Sequence, residues 1–389
     1  MKKIIIASDS FKGSLSSAEV GKAVAAGIHM IYPECETRIV ETGDGGEGTC
    51  QAIASILPCE WITLDVNDPL GRIRKTGYAI CRDDAGSVAV IEMAQASGLP
   101  LLAPDERDPM KTSTYGTGEM IRDAAGRGCR RFIIGLGGSA TNDGGTGMLE
   151  ALGFSFIDRN GDTVSRCCGE KLAEIASVDG TGVPEEILES AFTAACDVDT
   201  PFYGKNGATR IFAPQKGGSG STIERLETGM QSFAEIIRRK YGRDIKEISG
   251  SGAAGGTAGA LYAFLGASLC KGADLVLDVV GFDRIIEGAD LVITGEGRID
   301  KQTFHGKLPY SVLTRASSKG VPVLAIGGMV DLNEDEISSS RFLSIIPIQA
   351  HPGTQEELYA AMKPDTASAN ITRTISCVLS QYLPGKADG

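Results

Sequence analysis

The chain reads as an α/β protein of two domains, one built on a doubly wound parallel sheet and the other on a mixed sheet. Three observations predict this. First, 389 residues exceed what one hydrophobic core usually fills, so two domains are expected. Second, FIIGLGG (132–138), FTAACDVD (192–199), ADLVITGEG (289–297) and VPVLAIGG (321–328) each carry a short apolar run into Gly or Asp, the pattern of a strand buried on both faces. Third, two stretches fit a doubly wound sheet poorly: the alternating segments between 62 and 92, and GSGAAGG at 250–256.

In chain order, KIIIAS opens with a β-branched run and is followed by a helix that Ser16 or Ser17 can cap, with Glu19 in its first turn. TRIVETGDGGEGT repeats the plan of strand, acidic glycine turn and helix, the helix continuing through Ile53 and Leu57. ITLDVNDPLGRI turns at Asp68-Pro69-Leu70-Gly71, and strands near Gly77–Ile80 and Val88–Glu92 are joined by a turn at 83–86. Together they read as an antiparallel meander. The four buried strands follow. The expected arrangement is a flavodoxin-like, three-layer domain from residues 1–65 and 285–389, with a mixed α/β domain of residues 66–284 inserted into it.

Composition excludes several classes of function. The formal charge is 38 − 50 = −12, so a nucleic-acid backbone is not an expected partner. No apolar segment approaches the roughly 20 residues of a membrane span, and Met1–Ser8 holds only a strand-length apolar run, so neither an anchor nor a signal peptide is expected. The ten cysteines are scattered without a CxxC pair and are read as reduced thiols of a cytoplasmic protein. Glycine supplies 51 residues, about double the usual share, and it is clustered into special turns.

In open α/β sheets ligands bind beyond the carboxyl ends of the strands. Asp9, Asp44, Asp143, Asp197 and Glu296 all follow strand candidates. One such acid is commonly a helix cap; five in one topological position point to a shared site. GLGGSATNDGG (135–145) places Gly137, Gly138, Ser139, Asn142 and Asp143 in a strand–turn–helix segment whose helix begins near Gly145. Glycines there let a ligand lie against backbone amides, so the reading is an anion-binding loop, with a tight structural turn as the alternative. GSGAAG matches GxGxxG, yet no convincing strand precedes it, so NAD binding is not expected; Gly252 and Gly255 are assigned to a second close approach to phosphate. Asp197, in CDVDTP, suits Mg²⁺, which takes one or two carboxylates plus waters and phosphates. Lys12, Lys216, Arg298 and Lys307 stand beside the glycine and acid segments as candidate anion ligands. Asp44 or Glu296 can accept a proton from a substrate hydroxyl. No histidine pair has zinc spacing, and no GxSxG elbow occurs.

Ten segments taken together resemble the glycerate kinase family of the bacterial two-domain type. They are IASDSFKGSLS, GDGGEGT, IEMAQASGL, STYGTGE, GLGGSATNDGG, ACDVDTP, FAPQKG, GSGAAGG, LVITGEGRIDKQTFHGK and VPVLAIGG. They follow the family's order along nearly the whole chain. Ser8, Gly43, Ala213 and Ser249-Gly250-Ser251 depart from its pattern, all by small residues beside the charged ones. The resemblance implies ATP as co-substrate with Mg²⁺, D-glycerate as acceptor, an active site in a cleft between the domains, and 2-phosphoglycerate as product. A kinase for another small hydroxy or sugar acid and a non-catalytic nucleotide or organic-acid sensor are the competing readings. Oligomeric assembly is left open.

Overall fold

The computed structural model describes residues 1–42, 53, 57–83, 85–348 and 354–381. Strands are numbered along the chain. The amino-terminal part supplies β1 (Lys3–Ser8) and β2 (Glu36–Ile39), and the meander supplies β3 (Cys59–Asn67), β4 (Ile73–Asp83) and β5 (Gly86–Glu92). Then come β6 (Arg131–Gly135), β7 (Ser155–Ile157), β8 (Thr163–Val164), β9 (Ser177–Asp179), β10 (Ala191–Ala195) and β11 (Ser268–Cys270). The last three are β12 (Leu291–Ile299), β13 (Val323–Val330) and β14 (Ser344–Pro347).

The chain divides into two compact units, Met1–Asp44 with Ala273–Gly389, and Gly45–Gly272. These breaks precede the expected ones at 65/66 and 284/285. β3 runs antiparallel to β4 along its whole length, which draws it into the second unit. Ala273 and Leu277 pack with Ile5 and Val292, which draws the 272–279 helix into the first.

The first unit holds a parallel sheet in the order β14-β13-β12-β1-β2. Chain order reverses between β12 and β1, so the topological switch point lies there. Why β1 sits in the middle follows from its sequence. Ile4, Ile5 and Ile6 are all 0% exposed. Ile4 and Ile6 pack with Val20, Val24 and Ile371 on one face, while Ile5 and Ala7 pack with Val292 and Val312 on the other. Period-2 alternation splits an unbroken apolar run between two helix layers, and each buried Ile contributes on the order of 2 kcal/mol. The helix Ser17–Ile31 starts at Ser16 with a full capping box to Glu19, which selects Ser16 over Ser17 as its cap.

The second unit holds a mixed sheet, β11-β10-β6-β5-β4-β3, in which β11, β10, β6 and β5 are parallel and β5-β4-β3 form the antiparallel meander. Phe132 of β6 and Phe192 of β10 are register partners, and their rings stack with centroids 4.7 Å apart. A small antiparallel sheet, β8-β7-β9, completes the unit. Cys59 and Cys81 face one another across β3 and β4 and form a disulfide, which corrects the expectation that all the cysteines are reduced. Among the described residues, no helix is long and apolar enough to cross a membrane.

Gly27 lies where the Ser17–Ile31 helix meets the carboxy-terminal helix Pro364–Ser380. A Cβ there would sit 2.6 Å from the Thr372 carbonyl oxygen and 2.8 Å from Ile375 Cβ. Gly27→Ala gains about 1 kcal/mol of helix propensity but incurs overpacking of about 1–3 kcal/mol, so its urea midpoint should fall below wild type. Gly126→Ala, in a helix with nothing near the added carbon, should not lower the midpoint. A Gly27→Ala midpoint at or above wild type would show that the two helices separate to admit a methyl group.

Candidate functional site

The glycine segment after β6 is fixed to its surroundings at nearly every step. Leu136 N donates to Ala195 O at 3.2 Å, Leu99 N to Gly138 O at 2.8 Å, Ala140 N to Ser97 O at 2.9 Å, and Gly144 N to Gly255 O at 3.0 Å. Asp143 is fully buried beneath the loop. Its Oδ2 accepts from Thr114 N at 2.8 Å, Thr114 Oγ1 at 2.7 Å and Gly147 N at 3.2 Å, and its Oδ1 accepts from Gly145 N at 3.1 Å. Burial pushes this carboxyl above its ordinary range, and those donors oppose the shift.

This geometry revises the expected role of four residues. The helix after the loop, Thr146–Ala151, has six residues, and its first amides are taken by Asp143, so it presents no free positive end to an anion. Asn142 is buried and donates to Thr209 Oγ1 at 3.1 Å. Gly252 and Gly255 face protein backbone. A Cβ on Gly252 would run into the Pro201 carbonyl oxygen, and one on Gly255 would strike the Thr141 carbonyl and lie 2.7 Å from Asn142 Cα. Gly255 also has φ +65°, where a side chain costs about 1–2 kcal/mol. Here glycine admits a second strand of the same chain.

What remains open is a cavity of about 340 Å³ walled by Gly137, Gly138, Ser139, Asp197, Lys216, Ala253 and Ala254, with Leu99, Val198 and Phe212 on its apolar side. Lys216 is only 2% exposed. Its Nζ donates to Ser139 Oγ at 2.8 Å and Thr141 O at 2.7 Å. Burial pulls the ammonium down to about 7, with Asp143 opposing. Among the described residues no carboxylate lies within ion-pair distance of it. Asp197, exposed at the end of β10, accepts from Gly272 N at 2.9 Å through Oδ1. Neighbouring Asp199 accepts from Ser249 Oγ at 3.0 Å. No group of three or more His, Cys, Asp or Glu side chains among the described residues can enclose a metal ion. An oriented carboxylate at a cavity lined by Gly137, Gly138 and Ser139 fits Mg²⁺, which keeps water and phosphate ligands.

The first unit has its own cavity, about 350 Å³, at the carboxyl ends of β1, β12 and β13. Asp9, Lys12, Glu296, Arg298 and Lys307 line its charged side. Glu296, 7% exposed, accepts from Thr303 Oγ1 at 2.6 Å through Oε1 and from Lys307 Nζ at 3.0 Å through Oε2. Burial raises its carboxyl above the usual range, opposed first by Thr303 and then by Lys307. Arg298 is exposed and bonds Asp331 at 2.6 Å. Lys307 is thus an ion-pair partner of Glu296. Asp44 lies outside the described residues.

Sequence reasoning passed over Thr114 and Thr303, each of which holds an acid in place. It also passed over the carboxy-terminal helices that wall the first unit's cavity. Thr114 stands in the STYGTGE segment, so a signal was present; the helices gave only ordinary apolar spacing.

The model of the glycerate kinase family matches residues 4–382. The chain is 43% identical to the glycerate kinase of Halalkalibacterium halodurans over 84% of its length and 86% of the relative's. It is 40% identical to the glycerate 2-kinase of Escherichia coli over 96% of its length and 98% of the relative's. A crystal structure from Salmonella typhimurium LT2 assigned to glycerate kinase 2 aligns with a TM-score of 0.81 and 38% identity, covering 98% of this chain and all of that one.

Two measurements test the loop geometry. Gly255 and Gly266 share nearly the same positive φ, but nothing lies near a Cβ at Gly266. Gly266→Ala should therefore cost about 1 kcal/mol and Gly255→Ala about 3 kcal/mol, with overpacking added; equal losses in urea unfolding would remove the backbone clash as the cause. The second concerns Lys216. Its folded pKa lies below the ordinary lysine value of 10.5, so the unfolded chain binds more protons between pH 7 and 10.5 and stability rises with pH across that window. The rise should approach about 1.4 kcal/mol for each pH step of one inside the window, and it ends as pH falls through 7, where both states hold the proton. Lys216→Met should flatten this rise, and an unchanged slope would mean the ammonium stays charged throughout.

Proposed function

The chain belongs to the glycerate kinase family, and on that premise we propose that it transfers the γ-phosphoryl group of ATP to the 2-hydroxyl of D-glycerate. The observation that carries this reading is the second unit's cavity, where Gly137, Gly138 and Ser139 meet a buried lysine and one oriented carboxylate. Phosphoryl transfer asks a protein chiefly to position two anions and to stabilise charge on the moving group. A site with a glycine-rich loop, one buried lysine and one oriented carboxylate, whose single thiol, Cys196, burial holds protonated at about 11, suits that task.

Gly137, Gly138 and Ser139 bind phosphate oxygens, and Lys216 supplies the buried positive charge. Asp143, Asn142, Gly252 and Gly255 hold the loop in shape from below. Asp197 would hold Mg²⁺, which supplies neutralisation of phosphate charge when bound. Lys12 and Arg298 neutralise the glycerate carboxylate and the transferring phosphoryl group. Asp44 or Glu296 takes the hydroxyl proton, and the raised pKa of Glu296 brings it nearer to the working pH of a base.

The product decides the reading. ³¹P and ¹H NMR of a reaction with ATP and D-glycerate should give 2-phosphoglycerate; the 3-isomer would shift the acceptor hydroxyl, and no product would overturn the reading. Asp197→Asn should lower kcat by about two to three orders of magnitude, in line with the loss of a group that stabilises transferring charge, while its unfolding midpoint stays near wild type. A near-normal kcat would remove Asp197 from the site. Arg298→Ala should raise the KM for D-glycerate, and an unchanged KM would break that assignment.

A further inference from the structure

The lining of the first unit's cavity is of two chemical kinds. Besides the charged residues it has a hydrocarbon wall made by Phe11, Met329, Ile348, Leu358, Met362 and Ala367. It is assembled from four separate places: the turn after β1, the end of β13, the residue that follows β14, and the carboxy-terminal helices Gln355–Ala361, with its cap Met362, and Pro364–Ser380. The carboxy-terminal part is tied to the β1 turn by Ser14 Oγ, which donates to Met362 O at 2.6 Å. The wall is therefore a built surface at the switch point of a parallel sheet, where ligands of such sheets bind.

A small hydroxy acid has nothing to place against this wall. Every carbon of D-glycerate carries oxygen, and pressing it onto six apolar side chains would strip water from its polar groups without giving them partners. A purine has the opposite character, with two apolar faces and polar atoms confined to its edge. Thioethers also contact aromatic ring systems favourably, and two of the six wall residues are methionines. About 350 Å³ lies in the range of small-molecule sites.

We propose that the cavity at the carboxyl ends of β1, β12 and β13 binds the adenine and ribose of the nucleotide, its hydrocarbon wall covering the base. This rests on the kinase reading above and adds where the nucleoside is held. It assigns Met329 and Met362 to nucleotide contact and makes the wall a determinant of nucleotide affinity, with no part in glycerate recognition.

The test uses the full chain labelled with ¹³C at the methionine methyl groups, with the Met329 and Met362 signals assigned from Met329→Leu and Met362→Leu. Titration with ADP should move both signals through the ring current of the base, and by more than titration with D-glycerate, which carries no ring. Signals that move with D-glycerate but not with ADP, or that stay fixed at saturating ADP, overturn the proposal. Ala361→Phe, which adds bulk at another position lining the cavity, gives a kinetic check. The KM for ATP should rise at least tenfold while the KM for D-glycerate stays within twofold; the reverse pattern overturns the assignment. Failure here is distinct from failure of the kinase reading, which is decided separately by whether phosphoglycerate forms.

Discussion

The second unit's site depends on two glycine-rich segments of one chain pressed together backbone to backbone. Residues 139–145 and 250–256 meet so closely that Gly255 has the Thr141 carbonyl where a side chain would be, and Gly256 has Gly144 Cα at 3.0 Å from where its own would be. Gly144 N closes the contact on Gly255 O. Two peptide chains at that separation need their polar groups paired, and Asp143 meets part of that need by accepting from four donors. The cavity wall is the upper surface of this assembly, so its shape is inherited from a packing contact below it.

The same contact explains how a protein of net charge −12 can present a cation to an anion. Lys216 reaches the loop from a short 3₁₀ segment, Pro214–Lys216, and ends on Ser139 Oγ and the Thr141 carbonyl. Neutral oxygens satisfy its hydrogen bonds without cancelling its charge. In the first unit the arrangement is the reverse: Lys307 is bound directly to Glu296, and that pair is close to neutral. Two lysines that look alike in sequence, each beside glycine, thus carry different electrostatic meaning.

Much of the fold was legible because it rests on local periodicity. The buried strands β6, β10, β12 and β13 and the meander β3-β4-β5 follow from apolar runs and turn residues, and the capping box at Ser16 from three residues' spacing. The site was legible only by segment. Asp143 and Asp197 look the same in sequence, as acids just beyond a strand, yet one is buried and the other exposed. The difference is made by Thr114, distant in sequence, which the glycine pattern cannot announce. Gly255 reads equally as room for a phosphate or room for a peptide; composition signals a close approach without naming what approaches. The disulfide Cys59–Cys81 was missed for a related reason, since it depends on the register of β3 against β4.

Lys216 and Asp143 also show why a buried pair of opposite charges need not act as a salt bridge. Asp143 raises the proton affinity of Lys216, but burial outweighs it and the ammonium falls to about 7. The carboxylate cannot turn toward the lysine without abandoning Thr114, Gly145 and Gly147, whose amides would then be left buried and unpaired at roughly 1–3 kcal/mol each. Its charge is committed to shaping the loop. The lysine is consequently left near its titration point, where an arriving anion can draw a proton onto it. On the kinase reading, charge complementarity in this cavity would be completed by the ligand, through the one lining cation, Lys216, which has no carboxylate in bonding range among the described residues.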